Sequence, residues 1–255
     1  MKYKNLIFDL DDTILICSEY YHKCRDTFAA EATARTGISP EVVDKMLTGI
    51  DVACMGLDNG FGKERFPRSF AACSIALDII CDKTPDIEAA QRAFVIGDSV
   101  FWEDYPIING AAEILQTYKD AGYNLFLYTK GDYAVQQRKI DINKLNRFFD
   151  ADKVYIVGKK GGFQIDRIVA DHNLIKDETV MIGDSIRDDI RSANEAGIDC
   201  VYVWADGRRQ WDKESINKFK PNCTITSIKV LPLIFDDPIY MGYTYVVADD
   251  STGDC

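Results

Sequence analysis

Acidic side chains follow two apolar runs of this chain, at the point where each run ends. Asp9 and Asp11 end a run near the N-terminus, and Asp184 and Asp189 follow a much later one. Neighbouring carboxylates repel one another unless a cation joins them, and an all-oxygen ligand set is the one that Mg²⁺ prefers. These residues therefore predict a magnesium site, whose open coordination positions suit phosphate oxygens.

A hydroxyl and several ammonium groups follow two further apolar runs. Thr129 ends one of these runs and is followed by Lys130, while Lys159 and Lys160 follow the run 154–157. Hydroxyl and ammonium donors hold phosphoryl oxygens and neutralise their charge. Together with the carboxylates, these residues indicate phosphoryl chemistry.

The apolar runs that carry these residues alternate with helical patterns. Short β-branched runs separated by amphipathic helices predict βαβ units and a parallel sheet covered on both faces. In such a sheet, ligands bind outside the carboxyl ends of the strands. We therefore predict an α/β fold whose strands bring the candidate residues to one edge. The predicted strands are 3–9, 124–129, 154–157, 179–184 and 200–204.

Helical patterns without a convincing strand fill residues 17–104. The first strand most simply belongs to the same sheet as the later ones, so this block is an insertion after that strand. We predict a core from residues 1–16 and 105–255 and a helical domain from residues 17–104. A Gly-Asp-Ser sequence inside this domain is predicted to be a turn, and residues 224–235 are predicted to add a strand and a short helix.

Composition excludes several classes of function. The chain has 41 acidic and 30 basic residues, a formal charge of −11, which argues against binding nucleic acid. No apolar run approaches the length of a membrane span. The eight cysteines form no CxxC pair, and we expect free thiols and a cytoplasmic protein. His22 and His172 lack zinc-site spacing, and GxSxG and Walker sequences are absent.

The ordered motifs resemble those of the haloacid dehalogenase superfamily. They are FDLDDT at 8–13, an apolar strand ending in Thr129, then Lys160, and IGDSIRDDI at 182–190. The helical block lies where that superfamily carries its C1 cap. The resemblance implies a Rossmann-like parallel core with an inserted, helical C1-type cap, and Mg²⁺ as cofactor.

The resemblance also implies roles for the matching residues. Asp9 would be the nucleophile that forms an aspartyl-phosphate, and Asp11 would be the acid and base. Thr129 and Lys130 would hold the substrate, and Lys160 would neutralise charge between Asp9 and the phosphate. The superfamily's dehalogenases lack an acid at the place of Asp11, so the resemblance favours its phosphatases and phosphomutases.

In the implied metal site, Asp184 joins Asp9 and the backbone carbonyl of Asp11, while Asp189 acts through water or orients the lysine. Two choices stay open at this point. Spacing favours Lys160 over Lys159, and it favours Asp189 over Asp188. The superfamily lysine is often followed by proline, whereas glycine follows it here.

The sequence thus predicts a Mg²⁺-dependent phosphatase of a small phosphorylated metabolite, such as a sugar phosphate or a nucleotide. A phosphomutase and a non-hydrolytic phospho-accepting or phosphate-binding module are the alternatives. We expect no nucleic-acid or membrane partner, and a monomer or homodimer. In the cap, Arg65 and Arg68 are candidates for a second anionic group of the substrate, against a simpler interpretation as surface arginines. Phe61, Phe66 and Trp102 are candidates for an apolar pocket, against core packing.

Overall fold

Seven strands form one sheet in the computed structural model, which describes residues 2–57, 62–204, 218–236 and 246–247. The order across the sheet is β3-β2-β1-β4-β5-β6-β7. β1 pairs in parallel with β2 and β4, and the pairs from β4 to β7 are also parallel. The strands are β1 (Asn5–Phe8), β2 (Asn124–Lys130), β3 (Val154–Val157), β4 (Thr179–Gly183), β5 (Asp199–Val203), β6 (Cys223–Ile225) and β7 (Val246–Val247).

The central strand β1 is buried along its whole length, as a strand covered on both faces requires. Its last residue, Phe8, is in register with Leu127 of β2 and Ile182 of β4. The strand order reverses direction between β1 and β4, because β2 and β3 lie on one side of β1 and β4 to β7 on the other. A reversal of this kind opens a crevice at the carboxyl ends of the strands, where ligands bind.

Helices connect the strands and form a separate insertion. The helices of the described residues are α1 (Ser18–Thr36), α2 (Pro40–Leu57), α3 (Arg65–Ile80), α4 (Ile87–Ser99), α5 (Ala111–Asp120), α6 (Tyr133–Ile142), α7 (Gly162–Asp171), α8 (Arg191–Ala196) and α9 (Leu231–Asp236). In the sheet unit, Ile165 and Ile168 of α7 join the buried cluster formed by Phe126, Met181 and Ala193. None of the described helices combines the length and apolar character needed to cross a membrane.

The chain divides into two compact units. One comprises residues 1–16, 106–129 and 140–255, and the other comprises residues 17–105 and 130–139. The second unit is helical and has its own apolar core around Phe28, Leu47, Phe70 and Leu77. Residues that favour helix termini lie where its helices begin and end. Pro40 is the first residue of α2, Gly37 ends α1 at φ +77°, and the carboxylate of Asp86 accepts the N–H of Ala89 at 3.0 Å to cap α4.

The segment 130–139 corrects the predicted division of the chain. The predicted core, residues 1–16 and 105–255, includes this segment, whereas in the structure it groups with the helical insertion. Val135 belongs to the apolar cluster of that unit, and the buried ammonium of Lys139 lies 4.6 Å from the ring centre of Tyr105 and 3.8 Å from the sulfur of Cys17. These contacts attach the first half of α6 to both ends of the insertion.

The Gly-Asp-Ser sequence at 97–99 is also corrected, because it is the last turn of α4 and not a loop. A side-chain carbon at Gly97 would lie 2.8 Å from the Cα of Pro67, so the glycine lets α3 and α4 approach each other. In the C-terminal region, a strand and a short helix are predicted over residues 224–235. β6 and α9 are these two elements; β6 begins one residue earlier than predicted, and α9 ends one residue later.

Candidate active site

Asp9 lies one residue beyond the end of β1, at the crevice. Its N–H donates to the carbonyl of Ile182 at 2.9 Å, so the parallel pairing with β4 continues up to Asp9. The side chain is almost fully buried, with 5% of the residue exposed. A carboxylate buried to this extent requires a compensating charge.

Lys160 provides that charge. Its ammonium donates to Asp9 Oδ1, and to Asp189 Oδ1 at 2.6 Å. Burial by itself lowers the pKa of Lys160, but the attraction of Asp189 and Asp9 outweighs it and raises the pKa above its ordinary value. Lys160 therefore stays protonated between the two carboxylates.

Asp189 is fully buried and held by the turn that precedes it. Its Oδ2 accepts the N–H of Ser185 at 3.0 Å, and its own N–H donates to the carbonyl of Ser185 at 2.8 Å. Residues Ile186–Ile190 form a single π-helical turn that carries Asp189 back toward the sheet. Burial raises the pKa of Asp189, and the charge of Lys160 opposes this rise only in part.

Asp184 completes a group of three carboxylates. Asp9, Asp184 and Asp189 each offer one carboxylate oxygen, and these oxygens all lie within 4.8 Å of one another. Lys160 contacts two of these acids, Asp9 and Asp189, and a further cation would relieve the repulsion among the three carboxylates. Because every donor is an oxygen and the acids follow neighbouring strands, the group fits Mg²⁺.

The remaining candidates follow the same strands. Thr129 is buried near the end of β2, and Lys130 is the last residue of that strand and half-buried. Asp11 is half-buried in the tight turn after β1, where the N–H of Ile14 donates to the carbonyl of Leu10 at 2.9 Å. Roles for these residues stay predictions.

The geometry distinguishes between the paired alternatives that the sequence left open. Lys159 is exposed, whereas Lys160 is buried against two carboxylates. Asp188 is half-buried, and its N–H donates to the hydroxyl of Ser185 at 3.3 Å, whereas Asp189 contacts Lys160. Lys160 and Asp189, the residues favoured by spacing, therefore belong to the buried cluster.

The candidates in the helical insertion have partners inside that unit. Arg65 is buried and pairs with Asp51, and Arg68 is exposed and pairs with Glu64. Of the predicted pocket residues, Phe66 packs on Phe70 in the core of the unit, and Trp102 is exposed and donates to Asp98 at 2.7 Å. Phe61 lies outside the described residues. Arg68 and Phe66 agree with the simpler interpretations, a surface arginine and core packing. Arg65 and Trp102 do not, because Arg65 is buried in an ion pair and Trp102 is outside the core.

Several residues around Lys160 were not singled out from the sequence. Tyr128, Arg191 and Glu195 each hydrogen-bond the backbone of residues 160–162. Gly183 leaves room for Asp189, because a side-chain carbon there would lie 2.6 Å from the Cβ of Asp189. A glycine inside a strand pattern is itself a signal of such close approach. Tyr128 gave no signal, because an aromatic residue in an apolar strand indicates core packing.

Comparisons with known proteins agree with this fold. A family model described as haloacid dehalogenase-like hydrolase matches residues 3–197. A hydrolase of the haloacid dehalogenase-like family from Xanthomonas campestris is 22% identical, with a TM-score of 0.68, over 79% of this chain and 82% of that one. The HAD-hydrolase YfnB of Bacillus subtilis, solved bound to magnesium, is 17% identical with a TM-score of 0.63, over 93% and 100%.

A protein of Haemophilus somnus described as a predicted phosphoglycolate phosphatase is 16% identical with a TM-score of 0.59, over 92% of this chain and 99% of that one. No curated protein matches the sequence. At these identities the solved structures establish the fold alone. Because the family model covers most of the chain, this protein belongs to the haloacid dehalogenase-like hydrolase family.

Proposed function

We propose that this hydrolase is a Mg²⁺-dependent phosphatase that acts on a small phosphorylated metabolite, such as a sugar phosphate or nucleotide, and works in the cytoplasm. The observation that carries the proposal is the cluster at the crevice of the sheet, formed by buried Asp9, Lys160 and Asp189 together with half-buried Asp184. The phosphatase described among the structural neighbours supports the reaction class. The seven described cysteines are free thiols, which suits a reducing compartment.

Asp9 is the nucleophile in this proposal. One of its carboxylate oxygens attacks phosphorus, and the bond from phosphorus to the leaving oxygen breaks, so that an aspartyl-phosphate forms on Asp9. Lys160 donates to Oδ1 of this carboxylate and carries a positive charge before the substrate arrives. A fixed charge of this kind stabilises the negative charge that develops on the phosphoryl group without reorganising during the reaction.

Asp11 transfers the protons. It gives a proton to the leaving oxygen in the first step, and it then removes a proton from the water that attacks phosphorus and releases Asp9. Asp11 follows Asp9 by two residues within one tight turn, so both carboxyl groups are carried by the same short segment. An acid at this position favours phosphate ester hydrolysis over dehalogenation, because an alkoxide leaving group needs a proton and a halide does not.

Asp9, Asp184 and the carbonyl of Asp11 would hold Mg²⁺, with Asp189 acting through water. When bound, the ion would neutralise phosphate charge and align it with the attacking oxygen. Thr129 and Lys130, at the end of β2, would hold phosphoryl oxygens of the substrate.

Phosphate release tests the proposal directly. It would be measured on an aryl phosphate and a panel of phosphorylated metabolites, with Mg²⁺ and with EDTA. We expect Mg²⁺-dependent release by the wild-type protein and none by Asp9→Asn. Asp12→Asn is the matched control and should keep activity, because Asp12 has φ +59°, a conformation that asparagine tolerates well.

The same assay compares Lys160→Met with Lys159→Met. Loss of activity in the first variant alone supports the role given to Lys160. A folded wild-type protein that releases phosphate from no compound contradicts the phosphatase proposal. Isomer formation without release would identify a mutase, and a stable aspartyl-phosphate without turnover would identify a phospho-accepting module.

A further inference from the structure

Lys160 lies on a loop whose own sequence restricts the backbone conformation only weakly. The loop runs from the end of β3 to the start of α7, and two glycines, Gly161 and Gly162, follow the lysine. Glycine loses more conformational freedom on folding than any other residue. An ammonium that must stay between two carboxylates therefore needs a backbone held by other parts of the molecule.

Tyr128 holds the middle of this loop. Its side chain is fully buried, and its hydroxyl oxygen accepts the N–H of Gly161 at 3.1 Å. The ammonium of Lys160 lies 5.0 Å from the centre of the Tyr128 ring, within the range of a cation–π contact. Burial raises the pKa of Tyr128, so its phenol keeps its proton at neutral pH.

Two residues of α8 hold the loop on either side. Arg191 donates to the carbonyl of Lys160 at 2.8 Å, and Glu195 accepts the N–H of Gly162 at 3.0 Å. The two side chains also pair with each other at 3.2 Å, so each orients the other. Gly162 lets α8 come this close, because a side-chain carbon there would lie 2.6 Å from the Cβ of Glu195.

These contacts bind three consecutive residues of the loop, one by each side chain. We propose that Tyr128, Arg191 and Glu195 are positioning residues, which fix the backbone of residues 160–162 and thereby hold the Lys160 ammonium between Asp9 and Asp189. The inference rests on the proposed function for its catalytic meaning, because Lys160 stabilises charge only where it is held. α8 begins two residues after Asp189, so one short segment carries Asp189 and two of the residues that hold the lysine loop.

The first test compares Tyr128→Phe with Tyr155→Phe. Both variants lose a tyrosine hydroxyl in the sheet unit, but that of Tyr155 is hydrogen-bonded to His172, away from the lysine loop. We expect kcat to fall about tenfold in Tyr128→Phe, with KM within about twofold of wild type. Tyr155→Phe should leave both constants unchanged. Equal effects in the two variants, or a change confined to KM, would overturn the inference while the phosphatase proposal stands.

Glu195 allows a test by conservative replacement. Glu195→Gln keeps an oxygen that accepts the N–H of Gly162, whereas Glu195→Ala loses it. We expect kcat to fall about tenfold in Glu195→Ala and to recover most of this loss in Glu195→Gln. Equal kcat values in the two variants would contradict a role for this hydrogen bond.

A spectroscopic measurement tests the positioning of Lys160 without using activity. It applies even if the wild-type protein releases no phosphate and the proposed function fails. The Cε–Hε NMR signal of Lys160 is assigned in ¹³C-lysine-labelled protein by its loss in Lys160→Met. Tyr128→Phe should shift this signal because the ammonium moves relative to the ring and the carboxylates, and Tyr155→Phe should leave it in place. An unshifted Lys160 signal in Tyr128→Phe would overturn the inference whatever the activity.

Discussion

Replacing Gly183 with alanine tests how tightly the position of Asp189 is determined. The added carbon would lie 2.6 Å from the Cβ of Asp189, whereas ordinary contacts begin near 3.4 Å. The two groups must therefore separate by at least about 0.8 Å, the difference between these distances, because the carboxyl group of Asp189 would lie closer still. Asp189 is fully buried on a turn that is tied to Ser185, so the strain reaches its contacts with Lys160 and with the N–H of Ser185.

The expected cost has two parts. Overpacking of a well-packed site costs about 1–3 kcal/mol of folding free energy, which corresponds to a Tm lower by roughly 2–12 °C in a protein of this size. A displacement of nearly 1 Å at a catalytic ion pair costs on the order of 10²-fold in rate. We therefore expect kcat to fall by about that factor in Gly183→Ala.

The measurement pairs thermal unfolding with phosphate release for Gly183→Ala and for Gly158→Ala. Gly158 is exposed in the same unit, has no positive φ, and a carbon added there meets nothing within 4 Å. Gly158→Ala should match wild type in both measurements. If Gly183→Ala also keeps wild-type Tm and kcat, the site is looser than the geometry indicates and the argument from close packing is wrong.

Three further predictions concern other parts of the chain. Gly49→Ala should raise the free energy of unfolding in urea by about 0.5–1 kcal/mol, because Gly49 is exposed inside α2 and has space around it. Gly62→Ala is the control, because Gly62 lies outside any helix. Asp86→Ala should lower stability at neutral pH, whereas Asp86→Asn should retain the cap. The hydrogen bond from Ala89 lowers the pKa of Asp86. The part of the stabilisation that depends on the Asp86 charge is therefore complete above pH 3.8 and is lost as pH falls through the lower folded-state pKa. A stability difference between wild type and Asp86→Ala that does not shrink over this range contradicts the charged cap. With an aryl phosphate, whose phenolate can leave without a proton, Asp11→Asn should accumulate aspartyl-phosphate on Asp9 in intact-mass spectra. Unchanged turnover in that variant would exclude Asp11 as the acid and base.

Most of the sheet was predictable because each strand is a short apolar run with one clear end. Residues 124–129, 154–157 and 179–184 differ from the observed strands by at most one residue at an end. Parallel pairing brings strand ends together, so the approach of Asp184 to Asp9 followed from the fold alone. The choice of Lys160 over Lys159 followed from the spacing to the next helix.

The rest depends on packing that a single sequence does not encode locally. The glycine at 97 lies in a helix because α3 and α4 need close approach, although its neighbours are typical of a turn. Tyr128 resembles any core aromatic until its hydroxyl is seen beside Gly161. The pair of Arg191 and Glu195 resembles a surface pair four residues apart on a helix, and only the fold brings the lysine loop to it.

The grouping of residues 130–139 with the helical insertion has a consequence for protein engineering. Inserted domains of this kind can be exchanged between proteins as single segments that are cut at their two junctions with the rest of the chain. A segment of residues 17–105 would leave behind Lys139, whose partners Cys17 and Tyr105 would be removed. It would also leave behind Val135, which belongs to the apolar core of the helical unit. The transferable module is discontinuous, and a chimera that carries both pieces should fold where the shorter segment aggregates.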